Sequence, residues 1–160
     1  MSKKEVKTNA MRMLDRAKVS YTYEEYECDD FTDGIQTADK LGYDHKLVYK
    51  TLVTQGHSRA YFVFVIPVAE ELDLKKAARE VGEKSLAMVH VKDINSITGY
   101  VRGGCTAIGM KKQFPTVFHE TAELFDTICV SAGKIGAQVE VAPADLIALL
   151  GAQTADVTVE

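Results

Sequence analysis

The chain has 160 residues, of which 46% are hydrophobic and 26% are charged, as is typical of one soluble globular domain spanning residues 1–160. This composition excludes a disordered chain, and the longest uncharged apolar run, residues 60–69, is half of the roughly 20 residues that a membrane-spanning helix requires. The net charge of −4 argues against a broad nucleic-acid-wrapping surface, so any nucleic-acid contact is expected to be a local basic patch.

The first third of the chain predicts two helices with a strand between them. Ser2 followed by Glu5 forms a capping box, and apolar residues then recur at helical spacing, which predicts a helix over residues 2–18. Alternating tyrosines predict a strand over residues 21–26. A short helix over residues 37–41 should end at the glycine that follows it.

The middle third predicts a hairpin followed by a helix, a strand and a second helix. Residues 51–54 and 61–66 are two strands joined by a short polar turn, and the second has no polar break, which is typical of a central strand. Residues 73–81 are good helix formers and precede a glycine, so a helix is predicted there that ends at this glycine. A strand is expected over residues 87–91, and Asp93 should cap a short helix.

The last third alternates strands and turns after an irregular, glycine-rich stretch over residues 100–115. The expected elements are strands over residues 116–119, 125–131, 138–141 and 157–159, and a helix from Pro143 to residue 150. The total is about seven strands and four or five helices. We therefore predict a single mixed α/β (α+β) domain in which helices flank a curved, barrel-like sheet.

The most unusual segment is residues 99–112, which we call the first loop. Its glycines let the main chain approach a ligand closely, and it carries three basic residues. A nucleotide-binding P-loop is excluded because Met110 stands where that motif requires lysine. A glycine-rich turn with a solvated basic tip is an equally good interpretation of this segment.

Residues 131–136, the second loop, follow a predicted strand, where functional loops often lie. The segment resembles a serine-hydrolase elbow poorly, because Cys129 stands at the position of the elbow's first glycine. A tight turn between strands is the alternative. Lys50 opens a strand beside an aromatic residue and is either solvated or a fixed positive charge for an oxyanion or a phosphate.

The cysteines predict neither a metal site nor a cofactor. Cys28, Cys105 and Cys129 are widely spaced, and the histidines show no ligand spacing. Buried thiols are the expected state, with redox sensing by Cys105 or Cys129 as an alternative. The N-terminus carries charges but no apolar signal segment, so a cytoplasmic protein is expected.

Four segments in a fixed order resemble the YbaK/EbsC family, the free-standing relatives of the editing domain in bacterial prolyl-tRNA synthetase. They are residues 49–51, 99–105, 108–112 and 130–136, and the likeness covers essentially the whole chain. The resemblance implies a mixed β-barrel flanked by helices. It also implies a deacylase that clears cysteine from the proline tRNA, acts on the aminoacyl-tRNA acceptor end and works beside prolyl-tRNA synthetase. Other cysteinyl-tRNAs are implied as further substrates.

The resemblance also implies site residues. It places the required lysine at Lys50 rather than Lys46, which lacks the aromatic-Lys-Thr context. This sequence departs from the family pattern at Thr106 and Ala107, where many members have Ser-Pro, and at Gln138, where some relatives have an acidic residue. The implied substrate-binding residues are Tyr26, Phe31, Gly103, Gly104, Ser131, Gly133 and Gln138, and the implied tRNA phosphate contacts are Arg102, Lys111 and Lys112.

The implied mechanism is cleavage assisted by the substrate, in which the thiol of the cysteine attacks its own ester carbonyl. Two alternatives stay open at this point. One is a non-catalytic module that binds the ends of aminoacyl-tRNAs, and the other is a hydrolytic deacylase for a different amino acid.

Overall fold

The computed structural model describes residues 7–26 and 34–160, so the predictions for Ser2, Glu5, Cys28 and Phe31 lie outside the described residues. The described part contains five α-helices and eight strands. The helices are α1 (Asn9–Arg16), α2 (Gly34–Leu41), α3 (Leu74–Val81), α4 (Val91–Thr98) and α5 (Pro143–Leu150); the strands are β1 (Tyr21–Glu25), β2 (Tyr49–Gly56), β3 (Tyr61–Pro67), β4 (Leu86–Met88), β5 (Thr116–His119), β6 (Ile128–Ser131), β7 (Ala137–Val141) and β8 (Gln153–Ala155).

The strands form two sheets rather than one. The smaller sheet has the order β1-β7-β6, and the larger has the order β4-β2-β3-β5-β8. An isolated parallel bridge between Val48 and Cys129 is where β2 and β6 meet. The mixed α/β class is confirmed, but the described strands close no barrel, because β6, the edge strand of the smaller sheet, meets the larger sheet only at the Val48–Cys129 bridge.

The central position predicted for β3 is confirmed, and it explains why this strand has no polar residue. Val63 and Val65 belong to the core cluster shared with β6, β7 and α1. Phe64 and Ile66 belong to a second cluster, on the opposite face, which includes Ala77 of α3. Both faces of β3 are therefore covered, as the apolar run requires.

Helix α1 is shorter than predicted at its start. Thr8 has an extended backbone, and its hydroxyl accepts a hydrogen bond from the Met11 amide at 3.2 Å. A side-chain cap of this kind satisfies one of the amides left open at a helix start. The predicted helix is therefore wrong at residues 7–8, where the chain is still outside the helix, and at residues 17–18, because α1 ends at Arg16.

Several further boundaries differ from the sequence prediction. The strand β6 begins at Ile128 rather than at residue 125, α2 begins at Gly34 rather than at residue 37, and β2 is longer than residues 51–54. The strand expected over residues 87–91 ends at Met88, and α4 begins at Val91, so Asp93 lies in the first turn instead of at the cap. The last strand is β8 rather than residues 157–159. Val157 is instead held by its amide, which donates to Nδ1 of the buried His119 at 3.2 Å.

Each of the five described helices has eight residues. None of them has the length and apolar character needed to cross a membrane.

Removing the Phe64 ring should destabilise the domain strongly, because this side chain is fully buried, at 0% exposure. Phe64→Ala is expected to lower the free energy of unfolding by roughly 3–5 kcal/mol, from lost burial and the cavity left behind. Urea denaturation followed by circular dichroism measures this. Leu124→Ala is the control, since Leu124 is 77% exposed, and its change should stay within about 0.5 kcal/mol. Similar losses for both variants would contradict this description of the core.

Candidate functional site

A cavity of about 570 Å³ opens beside β2, and we call it the cleft. Its volume lies in the range of small-molecule sites. Residues 48–53 form one wall, parts of the first and second loops form another, and β4 with α4 forms a third. The first two walls therefore come from segments that are far apart in the chain but that the sequence motifs singled out together, while the third wall belongs to none of those motifs.

Lys50 contributes a positive charge to the cleft. It lies on β2, lines the cleft and is half-buried. Its Nζ donates to the carbonyl of Val68 at 3.3 Å, which fixes the position of the ammonium. Lys46 is exposed and does not line the cleft. The structure thus separates the two lysines that the sequence offered as candidates.

Ser131 and Gln138 form a polar wall of the cleft on neighbouring strands, where they are paired across β6 and β7. The hydroxyl of Ser131 accepts a hydrogen bond from the Gly133 amide at 3.2 Å. Gln138 is only 7% exposed, yet its Oε1 has no hydrogen-bond partner among the described residues. A buried acceptor without a partner is costly and calls for an explanation. A donor on a bound ligand would supply the missing partner.

The two loops pack directly against each other. A Cβ at Gly104 would lie 2.8 Å from the carbonyl carbon of Lys134. Gly133 has a φ of +99°, and a Cβ there would lie 2.9 Å from the ring of Tyr100. The hydroxyl of Tyr100 donates to the carbonyl of Ile108 at 2.6 Å, which braces the first loop. These contacts require the glycines, and neither Gly104 nor Gly133 lines the cleft.

Gly103 and Arg102 carry the first loop to the cleft, and both line it. Gly103 has a φ of +85°, while Arg102 is exposed at the mouth. Lys111 and Lys112 are exposed and line no part of it. The structure therefore brings one of the three predicted phosphate-contacting residues to the cleft.

The aromatic residues expected in the pocket are placed less directly. Tyr26 does not line the cleft, but its hydroxyl lies 3.3 Å from the hydroxyl of Thr37, which does. Phe31 is outside the described residues. Thr37 is buried and was not found from the sequence, because a threonine in a short predicted helix carries no distinguishing signal.

Cys105 lines the cleft, and its thiol is protonated at neutral pH. Burial raises its pKa to about 11, against a smaller lowering effect of the hydrogen bond with Thr98. Burial likewise raises the pKa of Cys129 to about 12. Because the thiolate is the reactive form, neither thiol is a nucleophile near pH 7. Among the described residues no group of histidines, cysteines and carboxylates could hold a metal ion.

The far end of the cleft is apolar and was not predicted. Its lining includes Leu52, Met88, Val91 and Ile94. Met88 is 45% exposed and Val91 is 52% exposed, so this apolar surface is open to solvent. Apolar side chains occur in every element, so the sequence alone gives no sign that these four converge.

Comparison with known proteins identifies the fold and the family. A protein of Enterococcus faecalis named as a candidate Cys-tRNA(Pro)/Cys-tRNA(Cys) deacylase, EbsC, is 47% identical and aligns over 99% of this chain and 98% of its own length. A solved structure described as a candidate trans-editing enzyme for prolyl-tRNA synthetase has a TM-score of 0.82 at 24% identity, covering 98% of this chain and 100% of the other. The hypothetical protein APE2540 has a TM-score of 0.87 at 18% identity, covering 95% and 100%.

At these identities the two solved structures show the fold alone. The family is shown by the near full-length relative and by the family model for aminoacyl-tRNA editing domains, which matches residues 32–149, about three quarters of the chain. This chain belongs to the family of aminoacyl-tRNA editing domains.

Proposed function

We propose that this chain is a deacylase that removes cysteine from mischarged Cys-tRNA(Pro), and that Cys-tRNA(Cys) is a second substrate. The proposal is carried by the cleft of an editing-domain family member. Its lining includes the ammonium of Lys50, bonded to the Val68 carbonyl, and the buried Gln138 acceptor, which has no partner among the described residues. The name of the 47% identical relative supports the same substrates.

The reaction is the attack of the substrate's own thiol on the ester carbonyl. The S–C bond forms, the bond from the carbonyl carbon to the ribose oxygen breaks, and the thiol proton goes to the departing oxygen. The products are a cyclic thioester of cysteine and a tRNA with a free hydroxyl. An intramolecular attack of this kind gains from a high effective molarity, so the protein mainly has to bend and hold the aminoacyl group.

The described lining favours this route over activation of a water molecule. The lining includes no histidine and no carboxylate among residues 7–26 and 34–160, and the thiol of Cys105 is neutral at pH 7. Lys50 is suited to stabilise the negative charge that develops on the ester oxygen. The Gly103 main chain and the Ser131 hydroxyl add polar groups, and Gln138 Oε1 accepts from the substrate ammonium.

The tRNA itself is held through few contacts. Arg102 lies at the mouth of the cleft, and Lys111 and Lys112 are exposed on the same loop, where they meet phosphates of the acceptor end. Few phosphate contacts give a weak salt dependence and little selectivity for the tRNA body. Choice of the tRNA then comes from prolyl-tRNA synthetase, acting as a partner in the cytoplasm.

The proposed function first predicts which amino acid is released. Single-turnover assays on one proline tRNA charged with cysteine or alanine should show release of cysteine only, because alanine has no thiol. Mass spectrometry of the products should detect the cyclic thioester. Equal release of the two amino acids would contradict thiol assistance and favour a hydrolytic deacylase. Tight binding without release of either would favour a non-catalytic module.

The second prediction concerns Lys50. Lys50→Ala should lower kcat/KM for Cys-tRNA(Pro) at least tenfold, about 1.4 kcal/mol of transition-state stabilisation, because the fixed positive charge is lost. Lys46→Ala is the matched control, since Lys46 lies four residues earlier, is exposed and does not line the cleft. Its activity should stay within twofold of the unmodified protein. A Lys50→Ala variant with unchanged kinetics would remove this residue from the site.

The third prediction separates activity from stability at Gln138. Gln138→Leu removes the buried acceptor to which no described residue donates a hydrogen bond, so thermal stability should be kept or increased. Binding of Cys-tRNA(Pro) should weaken at least tenfold, because the acceptor for the substrate ammonium is lost. Gln113→Leu, at an exposed position, is the control and should change neither quantity. Lower stability with unchanged binding would show that Gln138 serves packing.

A further inference from the structure

The cleft lies against the edge of a strand rather than against one of its faces. Six consecutive residues, 48–53, line it. Side chains along a strand point alternately to the two faces of a sheet. A cavity that touches every residue in such a run must therefore border the edge, where the main-chain groups point.

Hydrogen bonds to β3 show which main-chain groups of β2 are already used. The amide of Gly56 donates to the carbonyl of Ala60 at 2.8 Å, and the amide of Val68 donates to the carbonyl of Val48 at 2.9 Å. In an antiparallel pair such bonded positions alternate along the strand. The even-numbered residues of β2 therefore face β3, and the odd-numbered residues face the opposite edge.

That opposite edge is only partly paired. Strand β4 pairs with β2 at residues 54–56, and the amide of Val89 donates to the carbonyl of Val53 at 3.1 Å. Before this point, no described strand pairs with β2 on that side beyond the bridge at Val48. The carbonyl of Thr51 and the amide of Val53 thus face the cleft, and the structure gives them no hydrogen bond from a described residue. Main-chain groups on an unpaired strand edge need hydrogen-bond partners, which water or a bound ligand supplies.

The two groups form an acceptor and a donor side by side. A carbonyl at one residue and an amide two residues later lie next to each other on a strand edge and point the same way. Adenine presents the complementary pair on its Watson–Crick edge, where the exocyclic N6 amine donates and ring N1 accepts. In hypoxanthine this order is reversed, with an oxygen at position 6 and a proton on N1.

The surroundings fit a flat heterocycle. Leu52, Met88, Val91 and Ile94 line the same end of the cleft, and the exposed surface of Met88 and Val91 would be covered by a bound base. The groups suited to the amino acid lie towards the other end, because Lys50 comes earlier on β2 and β6 approaches the strand at Val48.

We propose that the adenine of the acylated terminal adenosine binds at the apolar end of the cleft, with its N6 amine donating to the Thr51 carbonyl and its N1 accepting from the Val53 amide. This subsite rests on the proposed function for its natural ligand. It binds the base of the nucleoside whose ribose carries the amino acid and so positions the ester beside Lys50.

Cysteinylated tRNAs with altered terminal nucleosides test the subsite. Replacing the terminal adenosine by inosine should lower kcat/KM at least tenfold, since both hydrogen bonds are lost and the strand edge is left unpaired. Replacement by 7-deazaadenosine is the matched control and should stay within threefold, because it keeps the Watson–Crick edge. Equal rates for inosine and adenosine would overturn the subsite while leaving the deacylase intact. No release from any of these tRNAs, the natural one included, would overturn the deacylase.

A binding measurement tests the subsite without turnover. Titration of ¹⁵N-labelled protein with adenosine should shift the amide resonance of Val53, while inosine at the same concentration should not. The Leu52 amide, which faces β3, is the internal reference. An unchanged Val53 resonance with adenosine would overturn the subsite whether or not the protein deacylates tRNA.

A pair of variants adds a control on the protein side. Val91→Asp places a charge on the apolar wall and should weaken adenosine binding at least fivefold. Val101→Asp adds the same charge at a residue that is 48% exposed and does not line the cleft, so its affinity should be unchanged. Equal affinities for the two variants would overturn the placement of the base against this wall.

Discussion

The incomplete pairing of β2 is the constraint on which the rest of the site depends. On one side the strand is paired with β3 from Tyr49 to Gln55. On the other side, within the part of the chain that the structure describes, it meets β6 at the Val48–Cys129 bridge and pairs with β4 at residues 54–56, next to the hydrogen bond from Val89 to Val53. The gap between these two contacts is the cleft. A longer β4, or a β6 that continued along β2, would close the sheet and remove the site.

The same arrangement makes the cleft wall rigid. The hairpin of β2 and β3 lies between two core clusters. Both faces of β3 are therefore packed, and β3 supports β2, the strand that carries Lys50. A charge held on such a wall needs little reorganisation when negative charge develops on a substrate, and this is where electrostatic stabilisation is most effective. The glycine loops complete the site from the other sheet, because their close packing leaves Gly103 and Ser131 facing the gap.

Features fixed by local chemistry could be predicted from the sequence. The glycines after α2, α3 and α4 end those helices in the left-handed conformation, and the unbroken apolar run of β3 identified the central strand. The start of α4 was missed because its capping residue makes no side-chain hydrogen bond. The position of β8 was missed because this strand is defined by its pairing with Val117 and Phe118 of β5, which leaves no local sequence pattern.

The family motifs led to Lys50, Gly103, Ser131 and Gln138. They also led to Gly104 and Gly133, which the structure places between the loops rather than in the cleft wall. The free edge at Thr51 depends on strand order, which no local signal encodes.

The neutral side chain at Gln138 bears on how a site with so few reactive groups can be selective. An amide can orient a substrate ammonium but cannot take up a proton, so it cannot act as the general base for a water molecule. The described cleft lining supplies positive charge from Lys50 and Arg102 and polar groups from the main chain, and such groups stabilise a thiolate or an oxyanion. On the proposed mechanism, the attacking nucleophile arrives with the substrate, and the thiol of cysteine supplies it while the side chain of alanine cannot. Discrimination against alanine would then come from the chemistry of the bound amino acid, and a cleft large enough to admit alanine would still not deacylate it.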